Sequence, residues 1–310
     1  MRRIALLSAF VTIAAAFISC GGKSSEPTPA AKARAILLDP AAEKILVASH
    51  RADWRHHPEN SIPAIESVIK MGVDIVEIDV AMTSDGVLVL SHDSTVDRCT
   101  NGSGPVSSFT LDSLKQLRLK GTHGEIMDSL AIPTLEEALT VCKDKILVNV
   151  DHGWNYFPQV LEIARKVDCV DQIIFKSGGT RQATAEAMKQ CGETGIIYMP
   201  IVTVAKDGTS ETIDSYLDGG EMPVMFEVCF SKDSTAIDTY MKALTDAGSK
   251  IWVNSIWGSL CGDNDDERAY KSPEDADLYY GRLLSLGFKA FQTDRPEYLI
   301  GYLRKKGLHD

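Results

Sequence analysis

Short apolar runs rich in Val and Ile recur along the chain, each four to seven residues long, with amphipathic stretches between them. The runs are ILVAS (45–49), DIVEIDV (74–80), VLVLS (87–91), ILVNV (146–150), QIIFK (172–176), GIIYM (195–199), VMFEVCF (224–230), KIWVNS (250–255) and AFQT (290–293). Runs so short and so continuously apolar predict strands buried on both faces, as in a parallel sheet. Between most of them the period changes to that of a helix. Ile62, Ile65, Val68 and Ile69 share one helical face, and TLEEALTVC (134–142), TRQATAEAMKQC (180–191), STAIDTYMKALTDAG (234–248) and ADLYYGRLLSLG (276–287) follow. Strand then helix, repeated, predicts an α/β fold, because parallel neighbours need a crossover connection.

Nine strand candidates are one more than a closed (β/α)8 barrel uses. The Ser84-Asp85-Gly86 turn joins the second run to the third and is too short for a crossover, so it predicts an antiparallel pair and an extension of the barrel. An open doubly wound sheet is the other arrangement of these elements. Its switch point is commonly served by GxGxxG or GxxxxGK[ST], and neither pattern occurs here. The reading is a single-domain TIM-type (β/α)8 barrel over residues 36–310.

The chain begins differently. Arg2 and Arg3 precede an apolar run from Ile4 to Ile18, followed by Ser19, Cys20 and GGKSSEPTPA. A basic start, a short apolar stretch and a small residue before Cys predict a bacterial lipoprotein signal peptide over 1–19, with Phe17 a departure from the usual aliphatic residue. Cys20 is then the lipidated residue, and the Gly, Ser and Pro content of residues 20–35 predicts a flexible tether. An ordinary cleaved signal with an incidental cysteine is the alternative. Both place the protein outside the cytoplasm, the first anchored to a bacterial membrane on its periplasmic side or at the cell surface.

Charge and cysteines narrow the partners. The net charge is −11 and no Lys/Arg run is present, which argues against nucleic acid and against attraction to an anionic bilayer. Any membrane attachment comes from the lipid. The six cysteines after Cys20 show no CxxC pairing, so no zinc site is patterned, and disulfides stay open. A mean hydropathy of −0.06 rules out a polytopic membrane protein.

In a barrel of this kind, chemistry gathers at the C-terminal ends of the strands. His50 and Arg51 follow the first run, Glu77 and Asp79 close the second, His92 and Asp93 follow the third, and Asn149 and Asp151 end the fourth. Glu77 and Asp79 are two apart, so a strand presents both carboxylates on one side. Alone, the pair reads first as acids capping or pairing with arginines on an exposed strand edge. With Asp151 it becomes a three-acid site of hard oxygen ligands for one divalent cation, Ca²⁺ or Mg²⁺. His50 and His92 at neighbouring strand ends offer an acid and a base that titrate near neutrality. His56, His57, His123 and His152 read as surface or loop residues, except that His152 beside Asp151 is placed to line the pocket.

The motifs HRA (50–52), PENS (58–61), EIDVAMTSDGVLVLSHD (77–93), DRCTNGSG (97–104), IPTLEEAL (132–139) and GFKAFQTDRPEYL (287–299) together resemble the glycerophosphodiester phosphodiesterase family. The resemblance runs in order from about residue 45 to 300. It implies a TIM-type barrel with a divalent cation that hydrolyses glycerophosphodiesters to glycerol 3-phosphate and an alcohol. It further implies that His50 and His92 are catalytic, that Arg51 binds phosphate, and that Glu77 and Asp79 hold the metal. Glu59 falls on an acid near that arginine and the metal, and is counted with the ligands.

Departures from the family pattern are HRA in place of HRG and NVDHGW (149–154), where many members have a Glu followed two residues later by Lys. Asp151 is aligned with that acid, with Asn149 as the other register, and Lys176 or His152 is left to supply the missing charge to phosphate. Trp252 matches a tryptophan strand of the family and is expected to wall the pocket. The loop 259–273, with GDNDDE (262–267), reads as solvated surface. Two further functions stay in view: a lyase like phosphatidylinositol phospholipase C that releases a cyclic phosphate, and an inactive lipid-anchored binding protein.

Overall fold

The computed structural model describes residues 26–219 and 221–310. The expected signal peptide, Cys20 and the first part of the tether lie outside the described residues. Nine strands are present among the described residues: β1 Leu46–Ser49, β2 Ile75–Met82, β3 Leu88–Leu90, β4 Leu147–Asp151, β5 Ile173–Gly178, β6 Ile197–Val204, β7 Met225–Phe230, β8 Lys250–Asn254 and β9 Ala290–Thr293. Eight of them are parallel and closed into a barrel, because β1 pairs with both β9 and β2, and β2 continues to β4. β3 pairs antiparallel with β2 alone, as the Ser84-Asp85-Gly86 turn requires. It is the extension, and residues 91–133 build a small apolar cluster on it from Val89, Val96, Val106, Leu114, Leu119 and Ile132.

Local chemistry sets the helix ends. Ser61 caps the helix Ile62–Met71, which stops at Gly72 with φ 83°, a left-handed value that glycine adopts at little cost. Thr134 and Glu137 form a reciprocal capping box at the start of Leu135–Cys142. Strand residues alternate between two apolar layers. Val76, Ile78, Val148 and Val150 face the surrounding helices, whereas Leu46, Ile75, Leu147, Ile174, Met225 and Trp252 fill the bore.

The N-terminal segment corrects the tether. Residues Pro29–Leu38 form a helix, begun by Thr28, whose side chain accepts from the N–H of Ala31, and by Pro29 at a position that suits its fixed φ. Ala33 and Leu37 join the apolar cluster in the bore, and Arg34 donates to the carbonyls of Asp171 (2.6 Å) and Gly195 (2.9 Å), which precede β5 and β6. This helix therefore closes the N-terminal mouth of the barrel. The Gly, Ser and Pro content that suggested a tether over 20–35 ends at Thr28; beyond it, the Ala-rich run AAKARAILL has high helix propensity and an apolar stripe to bury.

Candidate active site

The opposite mouth carries the chemistry. β2 and β4 run in register with Glu77 opposite Asn149 and Asp79 opposite Asp151. One carboxylate oxygen from each of Glu77, Asp79 and Asp151 lies within 4.8 Å of the others. Asn149 sits two pairs deeper in the ladder, fully buried, with its amide donating to the carbonyl of Ile174 (3.1 Å). Asp151 thus joins the two acids in one carboxylate group, while Asn149 stands opposite Glu77 with its buried Oδ1 lacking a hydrogen-bond partner among the described residues.

Burial, together with the negative charge of Asp79, pushes Glu77 well above the ordinary carboxylate range. Burial also acts to raise Asp151, but Lys176 and His152 outweigh it and hold this acid below its usual value. Lys176 is almost fully buried, with Nζ 3.3 Å from both Asp151 and Glu227. Desolvation disfavours its charge, and the carboxylates of Glu227, Asp151 and Glu77 more than compensate. An all-oxygen donor set with excess negative charge fits a hard divalent cation, and Glu77, Asp79 and Asp151 are the residues that would hold it.

Arg51 and Ala52 follow β1 with φ of 50° and 59°, two successive left-handed residues that are not glycine. The turn is held by the N–H of Arg51 on Glu77 Oε2 (2.8 Å), the N–H of Ala52 on the Glu77 carbonyl (3.2 Å), and Ser49 Oγ on the Ala52 carbonyl (2.8 Å). Strain of this kind concentrates at functional sites. The left-handed value at Ala52 is one that glycine adopts freely, which accounts for the Gly of the HRG pattern. The Arg51 side chain lies between Glu59 (3.3 Å) and Asp79 (3.8 Å), and its buried Nε has no hydrogen-bond partner among the described residues. The carboxylates of Glu59 and Asp79 hold the guanidinium beside the three-acid group.

Glu59 lies outside the three-carboxylate group, which corrects its reading as a metal ligand. Its oxygens accept from Arg98 at 2.6 and 2.8 Å and lean on Arg51, so it orients guanidinium groups. Arg98 also bonds Asp93 (2.7 Å) and keeps that carboxyl well below its usual range. Asp93 in turn meets His92 Nδ1 at 2.7 Å. His50 has the same arrangement: Asp294 Oδ1 lies 2.8 Å from its Nδ1 and accepts from Trp54 Nε1 at 2.7 Å. An imidazole nitrogen facing a carboxylate carries the hydrogen, which leaves Nε2 of each ring for proton transfer.

His152 takes a left-handed φ of 61°, and its ring centroid lies 6.3 Å from that of His92, so it lines the mouth. Gly153 after it is required by space, since a Cβ there would stand 2.6 Å from Phe175 and 2.7 Å from Val150. Trp257 is half exposed and meets His50 edge-on at 5.8 Å.

Trp252 is a correction: fully buried in the bore, it lies beneath the site rather than walling it. It donates to Asn254 Oδ1 (2.8 Å), whose amide donates to Glu227 (2.8 Å), the partner of Lys176. The loop with GDNDDE is a second correction, because Asn264, Asp265 and Asp266 are buried. Asp266 is 1 % exposed, and burial outweighs the hydrogen bonds it accepts to push it up to about 6.

Sequence reasoning gave no role to Asp294, Glu227, Arg98 or Asn60, although Asn60 bonds Asp79 through both its amide nitrogen (2.8 Å) and its oxygen (3.1 Å). Asp294 directly follows β9, the position from which the other strand-end residues were chosen, so it was within reach. A cavity of about 810 Å³ lies elsewhere; it is lined by Ile62, Leu111, Leu130 and Val141 and includes none of these acids or histidines.

A closed (β/α)8 barrel with three carboxylates, a buried guanidinium and two carboxylate-backed histidines at its C-terminal mouth defines a class of barrel built to hold a cation beside an anion. Residues 50–217, more than half of the chain, match the glycerophosphoryl diester phosphodiesterase family, and the chain belongs to that family. Residues 198–303 match a second family, described only as a domain of unknown function. A glycerophosphodiester phosphodiesterase of Caldanaerobacter subterraneus is 45% identical over 109 residues, covering 35% of this chain and 45% of that protein. Glycerophosphodiester phosphodiesterase 1 of Mus musculus is 31% identical over 182 residues, covering 53% and 54%. The chain thus spans about half the length of the curated relatives it matches. Among solved structures, a glycerophosphoryl diester phosphodiesterase of Parabacteroides distasonis superposes with a TM-score of 0.71 at 22% identity, covering 88% of this chain and 91% of that one. An Oleispira antarctica phosphodiesterase in complex with the product sn-glycerol-3-phosphate gives 0.60 at 21%, covering 86% and 99%. These structures share the fold.

Two outcomes are expected. Ca²⁺ or Mg²⁺ in about 100-fold excess over Kd raises stability by about 2.7 kcal/mol, seen as an increase in Tm, and Glu77→Gln with Asp151→Asn abolishes the increase. A Tm unmoved by either ion would show that the acids hold no cation. Separately, Asp266 titrates higher when folded than the ordinary 3.8, so the native state binds more protons between those values and stability falls as pH rises through them. Wild type should lose about 2 kcal/mol relative to Asp266→Asn between pH 4 and pH 7, measured by urea unfolding. A constant difference would contradict the shift.

Proposed function

We propose that this protein is a divalent-cation-dependent phosphodiesterase that hydrolyses glycerophosphodiesters to glycerol 3-phosphate and an alcohol. The observation that carries it is the pairing of two histidines, each backed by a carboxylate, with a three-carboxylate group and the Arg51 guanidinium held beside it. The names of the curated relatives and the product complex of the Oleispira antarctica structure support the same reading.

A phosphodiester is anionic and resists a nucleophile, so its charge must be offset as the transition state forms. A cation held by Glu77, Asp79 and Asp151 would supply Lewis-acid polarisation of a phosphoryl oxygen. Arg51 donates to another oxygen of the diester, and Glu59 fixes the plane of that guanidinium. Lys176 offsets the charge of Asp151 and Glu227 and supplies the positive charge that the family pattern places two residues after its acid. Nε2 of one histidine takes the proton of the attacking oxygen, and Nε2 of the other protonates the leaving alkoxide. Asp93 and Asp294 hold the ring orientations and stabilise the imidazolium that forms.

The attacking oxygen separates this reading from the lyase: water gives glycerol 3-phosphate, whereas the substrate's own hydroxyl gives a cyclic phosphate. The complete acid–base pair argues against an inactive binding protein. The purified protein with Ca²⁺ or Mg²⁺ should release glycerol 3-phosphate from glycerophosphocholine, glycerophosphoethanolamine or glycerophosphoinositol. His50→Ala and His92→Ala should each lower kcat about 10²- to 10⁴-fold, and EDTA should abolish turnover. A cyclic product would establish the lyase, and tight binding without turnover the binding protein.

The N-terminal pattern adds a second proposal, acylation of Cys20 and anchoring outside the cytoplasm. In an expressing bacterium the wild type should label with palmitate and sediment with membranes, and Cys20→Ala should do neither. Unlabelled wild type would favour the ordinary cleaved signal.

A further inference from the structure

The sequence GDNDDE contains a carboxylate that the mechanism above does not use. Asp266 begins the short helix Asp266–Ala269 and is buried where β8, β9 and the helix Pro273–Ser285 meet. Its Oδ1 accepts from Ser255 Oγ (2.8 Å) and Tyr280 OH (2.8 Å). Its Oδ2 accepts from Thr293 Oγ1 (2.9 Å) and the N–H of Asp294 (2.7 Å). All four donors are neutral, which makes this a costly place for a charge; simple packing would be met by an amide or an apolar residue.

What the carboxylate holds is the turn that carries Asp294. The Asp294 side chain faces His50 Nδ1, its carbonyl accepts from Arg55 Nε (2.8 Å), and the Thr293 carbonyl accepts the N–H of His50 (3.1 Å). Only one residue therefore stands between Asp266 and the imidazole. We infer that Asp266 is a positioning residue for His50, acting through Asp294: it locks the 293–294 backbone so that the Asp294 carboxylate meets Nδ1, and it places a second negative charge behind the imidazolium formed in turnover. The inference rests on reading His50 as an acid–base group. An asparagine cannot replace this function in full, because its single oxygen leaves two of the four donors facing an NH₂ group.

The test uses the full protein with its divalent cation, comparing Asp266→Asn, Asp294→Asn, Tyr280→Phe and His50→Ala. Asp266→Asn should lower kcat about 10- to 100-fold while KM changes by less than about 2-fold, and Tyr280→Phe should lower kcat about 2- to 5-fold. In the His50→Ala background, Asp266→Asn should change the residual rate by less than about 2-fold, since its effect passes through that ring. Histidine-labelled ¹⁵N NMR gives a readout independent of turnover. The low-field Nδ1–H resonance of His50, identified by its loss in His50→Ala and Asp294→Asn, should shift or vanish in Asp266→Asn and shift in Tyr280→Phe.

An unmoved resonance with unchanged kcat in Asp266→Asn overturns the inference, as does an undiminished loss in the His50→Ala background, which would mark a general structural role. If Asp266→Asn does not fold, Tyr280→Phe decides by the same resonance. Failure of the hydrolase reading looks different: wild type turns over no diester, while the NMR comparison still reports whether Asp266 governs His50.

Discussion

Three carboxylates with oxygens inside 4.8 Å of one another are the constraint on which the rest of the site depends. Like charges this close raise one another's cost of ionisation, and burial raises it further, so the surroundings must supply positive charge or hydrogen. Lys176 does so from β5, the N–H of Arg51 from the turn after β1, the amide of Asn60 from the PENS segment, and the N–H of His152 from the end of β4. The remaining deficit suits a divalent cation. The strained Arg51-Ala52 turn belongs to the same balance, because it is the conformation that turns an N–H onto Glu77.

Around this centre the two histidines are served by separate carboxylate chains. His92 is tied through Asp93 and Arg98 to Glu59, and so to Arg51. His50 is tied through Asp294 to Asp266. One chain is partly exposed and laced with guanidinium groups; the other is buried and built from neutral donors. The two imidazoles therefore have different neighbours, although each meets a carboxylate at Nδ1. The barrel permits this because neighbouring strand ends project into one mouth while their backbones stay rigid in the sheet.

Much of this was legible along the chain. Alternating strand and helix patterns located the eight barrel strands and the extra hairpin strand, because periodicity depends on which face of a local element is apolar. The Glu77-x-Asp79 spacing placed two acids on one face of a strand for the same reason, and His50, Arg51 and His92 fell at strand ends. The misreadings came from composition taken as environment. Trp252 was assigned to a pocket wall, yet strand alternation points it into the bore. GDNDDE looked solvated because it is charged, although Ser255, Tyr280 and Thr293 bury Asp266 from three directions. Glu59 looked like a ligand because it is acidic and near in sequence, although Arg98 takes both of its oxygens.

The sequence by itself determined the elements, their order and the residue types at each strand end, since those follow from spacing of a few residues along a helix or strand. Only the tertiary structure decided which acid joins Glu77 and Asp79, that Lys176 stands beside it, and which carboxylate stands behind each histidine. His50 and Asp294 are 244 residues apart, and they meet because β1 and β9 become neighbours when the barrel closes. The register of β4 against β2, which puts Asp151 rather than Asn149 beside Asp79, is likewise a property of two strands pairing across a long connection. Closure also sealed the opposite mouth with a helix from a segment whose composition suggested a tether. An apolar stripe of Ala33 and Leu37 gains its stability from the bore it covers, and that bore exists only in the folded chain.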